Sequence, residues 1–367
     1  MELVLLAILL TSCQRDSTFQ GDWRDLHRGS ENGKWGFVDR EGKWAIPPLF
    51  LYVSPFHEGL AWAAKNKRSG YGYIDKTGRW AFPRTFAFAD HFSEGLAGVK
   101  VKEGWGFIDI QGVVVIPPVF QEVQSFSDGL AAVAVGTGND LRWGFIDKEG
   151  SYVIEPKYPG SPSFFYRRTF FSSGVAVVQM SFDRFDVINR QGEIINSVAA
   201  SRVNGFFDGL ALVELRMKNQ CDGSTLYRYI DSRGNFAFDE SFCNARDFSE
   251  DLAAVSVDNK KFGYIDRTGR FVISPQYYVA KQFSEGLAAV SIDSHESWNT
   301  YIDKNGMHVI PKIGSARADR FVNGMAAVDL YTPNGYLAAG ARWGYIDKTG
   351  KVLCTFGRGK ENENHAH

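Results

Sequence analysis

Apolar and polar positions alternate in short bursts along this chain, and the bursts recur. In Trp35-Gly36-Phe37-Val38-Asp39 the alternation has the two-residue period of a β-strand, with Trp35, Phe37 and Asp39 on one face and Gly36 and Val38 on the other. The pattern returns closely at Trp105, Trp143 and Trp343, with a different first aromatic at Tyr71 and Phe262, and in worn form at Phe185, Tyr227 and Asn299. Each burst ends in a polar turn. Asp39, Asp75, Asp109, Asp147, Asp231, Asp266, Asp303 and Asp347 stand three residues before a glycine, as in Gly42, Gly78, Gly112 and Gly150. A carboxylate that accepts from the turn backbone and a glycine that takes positive φ predict a tight hairpin connection. A second strand follows (Lys43 to Ile46), and Pro47-Pro48 is expected to stop it, because proline cannot donate to a central ladder.

A second signature, Phe-x-x-Gly-Leu-Ala, trails the first eight copies, from Phe56, Phe92 and Phe126 to Phe321. Its Leu-Ala-Ala-Val stretch, for example Leu130 to Val133, predicts a third strand with side chains small enough for a neighbouring sheet to approach. The turn glycine and the later glycine are 17 residues apart at Gly42→Gly59, Gly78→Gly95 and Gly112→Gly129, whereas the next stretch, to the following turn Asp, varies from 14 to 23. Constant segments are expected to be packed and variable ones to be surface loops. If all units point the same way, the stretch from Pro to Phe must run back along the sheet as a fourth extended segment. Four segments per unit is the content of a propeller blade. The predicted fold is therefore all-β, tandem hairpin or meander repeats in a β-propeller-like arrangement, with an open superhelical array as the alternative.

Composition adds constraints. The chain has 367 residues, a formal net charge of -1, 44% hydrophobic and 23% charged residues. The balance argues against nucleic acid, which selects basic surfaces, and against disorder. The 38 Gly and 29 Phe follow from the repeat, since each unit uses both at fixed places. Seven His and four Cys offer little for a metal site, and neither a metal nor a cofactor is expected. The turn carboxylates sit one per unit, not paired across a cleft as a general acid and base would be. Asp75-Lys76-Thr77-Gly78 matches the start of an aspartyl-phosphate motif, but Arg79 stands where a further Thr is required, and the turn accounts for it.

The paired signatures resemble the WG-repeat (KWG) family of bacterial proteins over roughly residues 33–356. That resemblance implies a repeat architecture and no general catalytic role. Nine hairpins divide into eight full copies and a ninth partial one, preceded by a tether over 13–32 and followed by a polar tail over 357–367. At the N-terminus, Leu3 to Leu10 is apolar but far short of the ~20 residues of a membrane span, and Thr11-Ser12-Cys13 resembles a lipoprotein signal, with 1–12 as the signal peptide. The resemblance implies lipid on the Cys13 thiol and anchoring in a bacterial envelope, with Gln14 leaning toward the outer membrane. Met1-Glu2 carries no basic residue, unlike the usual start of such signals.

Cys221 and Cys243 flank one predicted hairpin and are a candidate disulfide, leaving Cys354 as a buried thiol. The longest connections, Gly136 to Arg142, Met217 to Leu226 and Tyr331 to Arg342, gather at one end. An insertion from Tyr158 to Phe171 starts there and carries Phe164, Phe165, Tyr166, Arg167 and Arg168, a composition enriched at binding hot spots, though a local apolar plug covering the worn fourth and fifth copies is the favoured reading of it. The expected function is a non-catalytic, lipid-anchored scaffold that binds a protein, or a glycan such as peptidoglycan, through these loops. An enzyme with its site on the repeat axis and a purely structural envelope spacer are the alternatives.

Overall fold

A computed structural model describes residues 20–160, 169–216, 221, 225–293, 300–310, 318–330 and 342–357. Among these the secondary structure is all β, apart from two three-residue 3-10 turns. No described helix is long and apolar enough to cross a membrane.

Nine small antiparallel sheets follow one another along the chain: sheet 1 (27–50), sheet 2 (52–74), sheet 3 (88–120), sheet 4 (122–159), sheet 5 (175–199), sheet 6 (202–230), sheet 7 (244–277), sheet 8 (279–310) and sheet 9 (325–357). Sheet 3 shows the full pattern. A two-residue strand, Phe88–Ala89, pairs with Leu96–Lys100, which pairs with Trp105–Asp109, which pairs with the outer strand Val114–Phe120. A sheet therefore joins the Phe-x-x-Gly-Leu-Ala signature of one sequence copy to the Trp-Gly hairpin of the next. The ninth hairpin is complete because the eighth signature supplies its partner strand, Met325–Leu330.

The first hairpin has no such signature before it, and the structure corrects the expected boundary there. His27–Glu31, placed in the 13–32 tether by sequence, is a strand in register with Lys34–Val38. Its residues, HRGSE, lack the Leu-Ala-Ala-Val pattern that marks its counterparts. A second correction concerns the prolines. The strand does not stop at Pro47-Pro48 but runs as Trp44–Phe50, with register shifts against Lys34–Val38. It is the edge of its sheet, where the missing N–H faces no partner strand. The shift also explains the glycine of Trp-Gly: a Cβ on Gly144 would lie 2.6 Å from the Ile154 carbonyl oxygen, so only glycine lets the bulged outer strand pass.

Each central strand is buried on both faces. Phe107 packs with Phe126, Ala131, Val133 and Ile146 on the sheet 4 side, and Ile108 packs with Tyr73, Phe86 and Ala97 on the sheet 2 side. The core is thus a series of layers between neighbouring sheets. The series closes. Val38 and Trp44 of sheet 1 share one cluster with Met325, Tyr345, Cys354 and Phe356 of sheet 9. The Trp44 and Phe356 rings meet edge to face at 5.5 Å, and the Tyr345 hydroxyl donates to the Arg28 carbonyl at 3.0 Å. Sheet 1 lies against sheet 9, which makes a ring and removes the open array.

The repeated polar residues join the sheets. The Ser93 hydroxyl donates to the Phe126 carbonyl (2.7 Å), and the same bond recurs from Ser127 to Phe171, Ser249 to Phe283 and Ser284 to Phe321. The Glu94 carboxylate accepts from the Gly129 N–H of the next sheet at 3.0 Å, as Glu58, Asp128, Glu250 and Glu285 do from Gly95, Gly174, Gly286 and Gly324. Lysines of the next hairpin turn close on the same carboxylates: Lys148 on Glu94 at 3.2 Å, Lys304 on Glu250 at 3.3 Å and Lys348 on Glu285 at 3.1 Å.

Candidate functional site

The turn aspartates act within their own hairpins. Asp109 Oδ1 accepts from the N–H groups of Gln111 (3.0 Å) and Val113 (2.8 Å), with Gly112 at φ +81°. Asp39, Asp75, Asp147, Asp231, Asp266, Asp303 and Asp347 repeat this. Asn189 repeats it through its amide oxygen, because only an acceptor is required. Gly42, Gly78 and Gly150 share the positive φ. Cys221 and Cys243 are joined in a disulfide with Cα atoms 5.4 Å apart, and Cys354 is a buried free thiol. Phe164, Phe165, Tyr166, Arg167 and Arg168 lie outside the described residues, as do Cys13 and most of the long connections.

Several residues that differ from copy to copy line cavities of the ring. Just before the Phe of Phe-x-x-Gly, five copies carry unit-specific side chains: Asp90-His91, Gln124-Ser125, Arg246-Asp247, Lys281-Gln282 and Asp319-Arg320. A cavity of about 750 Å3 is lined from sheets 1, 2, 7, 8 and 9 and the segments that lead into them. Among the described residues its walls carry five cationic side chains, Arg24, Arg28, Arg246, Lys281 and Arg320, against one carboxylate, Asp319. Trp23 and Tyr345 add aromatic surface. Lys281 and Asp319 pair at 3.0 Å, and Arg24 pairs with Asp22 at 2.8 Å. His27 also lines the cavity, but burial and then the charge of Arg40 pull its pKa down to about 4, so its ring is neutral near pH 7. A second cavity of about 280 Å3 shares Arg246 and Gln282 with the first and adds Arg202, Glu214 and Asp247. Burial pushes the Asp247 carboxyl up, opposed by a hydrogen bond from Asn204 at 2.7 Å.

Buried tyrosines hold the chain at several of these residues. Tyr229, Tyr264 and Tyr301 donate to the backbone carbonyls of Arg246 (2.6 Å), Lys281 (2.7 Å) and Asp319 (2.6 Å), each in the following sheet. Tyr73 does the same for Asp90 at 2.6 Å, and Tyr345 for Arg28 across the seam. Burial raises the pKa of Tyr229, Tyr264 and Tyr301, which keeps them neutral donors. Sequence reading missed these residues. Their signal was present: Tyr replaces Phe at the third position of Trp-Gly-Phe in these five copies, while Phe37, Phe107 and Phe145 keep the plain ring.

Another part of the inner surface holds a Ser–His–Asp group. His91 Nδ1 lies 2.8 Å from Asp90 Oδ1, and the Ser125 hydroxyl is 3.5 Å from His91 Nε2. That hydroxyl donates instead to Asp90 Oδ2 at 3.0 Å. The shorter contact of the hydroxyl is to the carboxylate and not to the ring nitrogen, and the group ties sheet 4 to sheet 3. The His57 ring lies 4.5 Å from that of His91. Among the described residues no group of three or more His, Cys, Asp or Glu is placed to hold a metal ion.

A closed series of small antiparallel sheets defines a propeller-like β-repeat protein. The chain belongs to the family described as WG containing repeat, whose model matches residues 35–68, 71–104, 105–136, 143–166, 227–260 and 262–294. The fifth, eighth and ninth copies lie outside those matches, yet they form sheets of the same kind. No curated protein sequence matches the chain. Similar solved structures include the dihydro-heme d1 dehydrogenase NirN in complex with DHE (12% identity, 96% of this chain and 76% of that one, TM-score 0.47). BamB from Moraxella catarrhalis is similar at 10% identity, over 76% of this chain and 93% of that one, with a TM-score of 0.44. The computationally designed Ika8 protein is similar at 13% identity, over 73% and 85%, with a TM-score of 0.43.

Proposed function

We propose that this protein is a non-catalytic binding scaffold of the bacterial envelope, anchored by lipid on Cys13, whose ring presents unit-specific loops to a protein partner. The observation that carries this reading is the division of labour among side chains. The repeated Phe, Asp, Ser and Glu residues build the layers, turns and inter-sheet bonds. Recognition is therefore left to residues that differ between copies, on the cavity walls and in the connections opposite the Asp-x-x-Gly turns. The Cys221–Cys243 disulfide supports an oxidising compartment, and the apolar run before Thr11-Ser12-Cys13 supports export.

Fractionation of cells tests the anchor. The native protein should sediment with membranes and Cys13→Ala should become soluble; a variant that stays with membranes would remove the lipid. Replacement of residues 164–168 by a Gly-Ser linker tests the loops. Crosslinking in intact cells should then lose partners that the native ring captures, and an unchanged set would place recognition elsewhere.

A further inference from the structure

We propose that the larger cavity binds a small, multiply charged anion bearing phosphate or carboxylate groups. The proposal concerns a different surface from the loops and does not depend on the lipid anchor.

Charge is the first reason. The whole chain has a formal net charge of -1, yet among the described residues five cationic side chains and a single carboxylate line this cavity. The Lys281–Asp319 and Arg24–Asp22 pairs cancel within themselves. Arg246 and Arg320 make no ion pair among the described residues; the Arg246 charge does act on the neighbouring Asp247 carboxylate, which is also hydrogen-bonded to Asn204, and that offsets part of the excess. An excess of positive charge inside a cleft with low-dielectric walls concentrates anions. Guanidinium groups give forked contacts that suit phosphate and carboxylate.

Preorganisation is the second. The cations come from sheets far apart in sequence, and the backbones at Arg28, Arg246 and Lys281 are each fixed by a buried tyrosine hydroxyl. The tyrosine that holds Asp319 also fixes the approach to Arg320. A site held in place loses less entropy when it binds. Construction of the ring does not require these bonds, since copies with Phe at the same position form the same sheets. The third is size: about 750 Å3 falls within the roughly 300–1,000 Å3 of small-ligand sites.

Isothermal titration calorimetry of the full chain at low ionic strength, with tripolyphosphate and with citrate as probes, tests the proposal. Saturable binding of at least one probe is expected; which one binds tells phosphate from carboxylate, and binding of both makes charge the selected property. Arg246→Gln with Arg320→Gln should weaken it by about tenfold or more, the loss that follows from about 1.4 kcal/mol of lost contact. Tyr264→Phe should weaken it less while the variant stays folded by circular dichroism. Arg79→Gln with Arg233→Gln removes the same charge from two exposed turns and should leave affinity unchanged. No binding of either probe by the native ring would overturn the proposal. So would an equal loss in the Arg79/Arg233 variant, which would reduce the effect to diffuse surface attraction.

Discussion

His27 shows how one residue carries both packing and pH dependence. Its ring meets Tyr345 edge-on at 5.2 Å across the seam, and its Nε2 is buried with no hydrogen-bond partner among the described residues. Burial lowers its pKa from 6.5 to about 4. The unfolded chain therefore takes up the proton first as pH falls. The stability that comes from the neutral ring is complete above the unfolded pKa and is lost as pH drops through the folded one. Between pH 7 and about pH 4.5 the native protein should lose roughly 2–3 kcal/mol through this residue. His27→Phe keeps a ring against Tyr345 and cannot protonate. Urea unfolding at the two pH values should show the variant losing less than the native protein by that amount, and equal losses would contradict the assignment. At this scale the hairpin turns were legible in sequence, because Asp109 and Gly112 act within four residues of each other. His27 was not, because the group that buries it lies at the other end of the chain.

At the scale of the element, the Phe-Ser-Glu-Gly signature proves to be a joint between sheets. Glu94 takes a left-handed φ of 54°, a conformation that costs about 1–2 kcal/mol. Its carboxylate accepts the Gly129 N–H and meets Lys148 at 3.2 Å. A hydrogen bond to a charged group contributes about 1.5–3 kcal/mol when well sheltered. With the Glu94 side chain 30% exposed, Glu94→Ala should cost about 1–2 kcal/mol. Lys148→Ala should cost only about 0.2–1 kcal/mol, and that part should fade in high salt while the Glu94 effect persists. Denaturation of both variants at low and high salt checks this; a Glu94 effect that disappears with salt would leave only the ion pair. The sequence revealed the signature by its recurrence but not its purpose, since its partner lies 35 residues on, in the next unit. The outer strands were misread for a similar reason. Pro47-Pro48 signals a stop in a central strand, and only the assembled sheet shows that Trp44–Phe50 is an edge.

Closure belongs to the whole molecule, and it was the least legible feature, because sheet 1 is completed by a strand that carries no repeat signature. The seam can be tested at one atom. A Cβ on Gly29 would lie 2.6 Å from the Phe356 ring and 2.8 Å from Trp44. Gly29 does not need positive φ, so any penalty for a side chain there is contact across and beside the seam rather than backbone strain. In the ring, Gly29→Val should lower stability by about 1–3 kcal/mol, the usual cost of overpacking. Phe356→Ala alone should also destabilise, by about 3–5 kcal/mol, through the cavity it leaves. Together the two changes should cost less than their sum, since the valine would enter space that the phenyl ring vacated. In an open array the two residues would never meet, and the costs would simply add. The coupling measured by urea unfolding of the four proteins in this cycle therefore reports ring closure directly. It bears on function as well, because only a closed ring brings Arg28 of sheet 1 to the same cavity as Arg320, which precedes sheet 9.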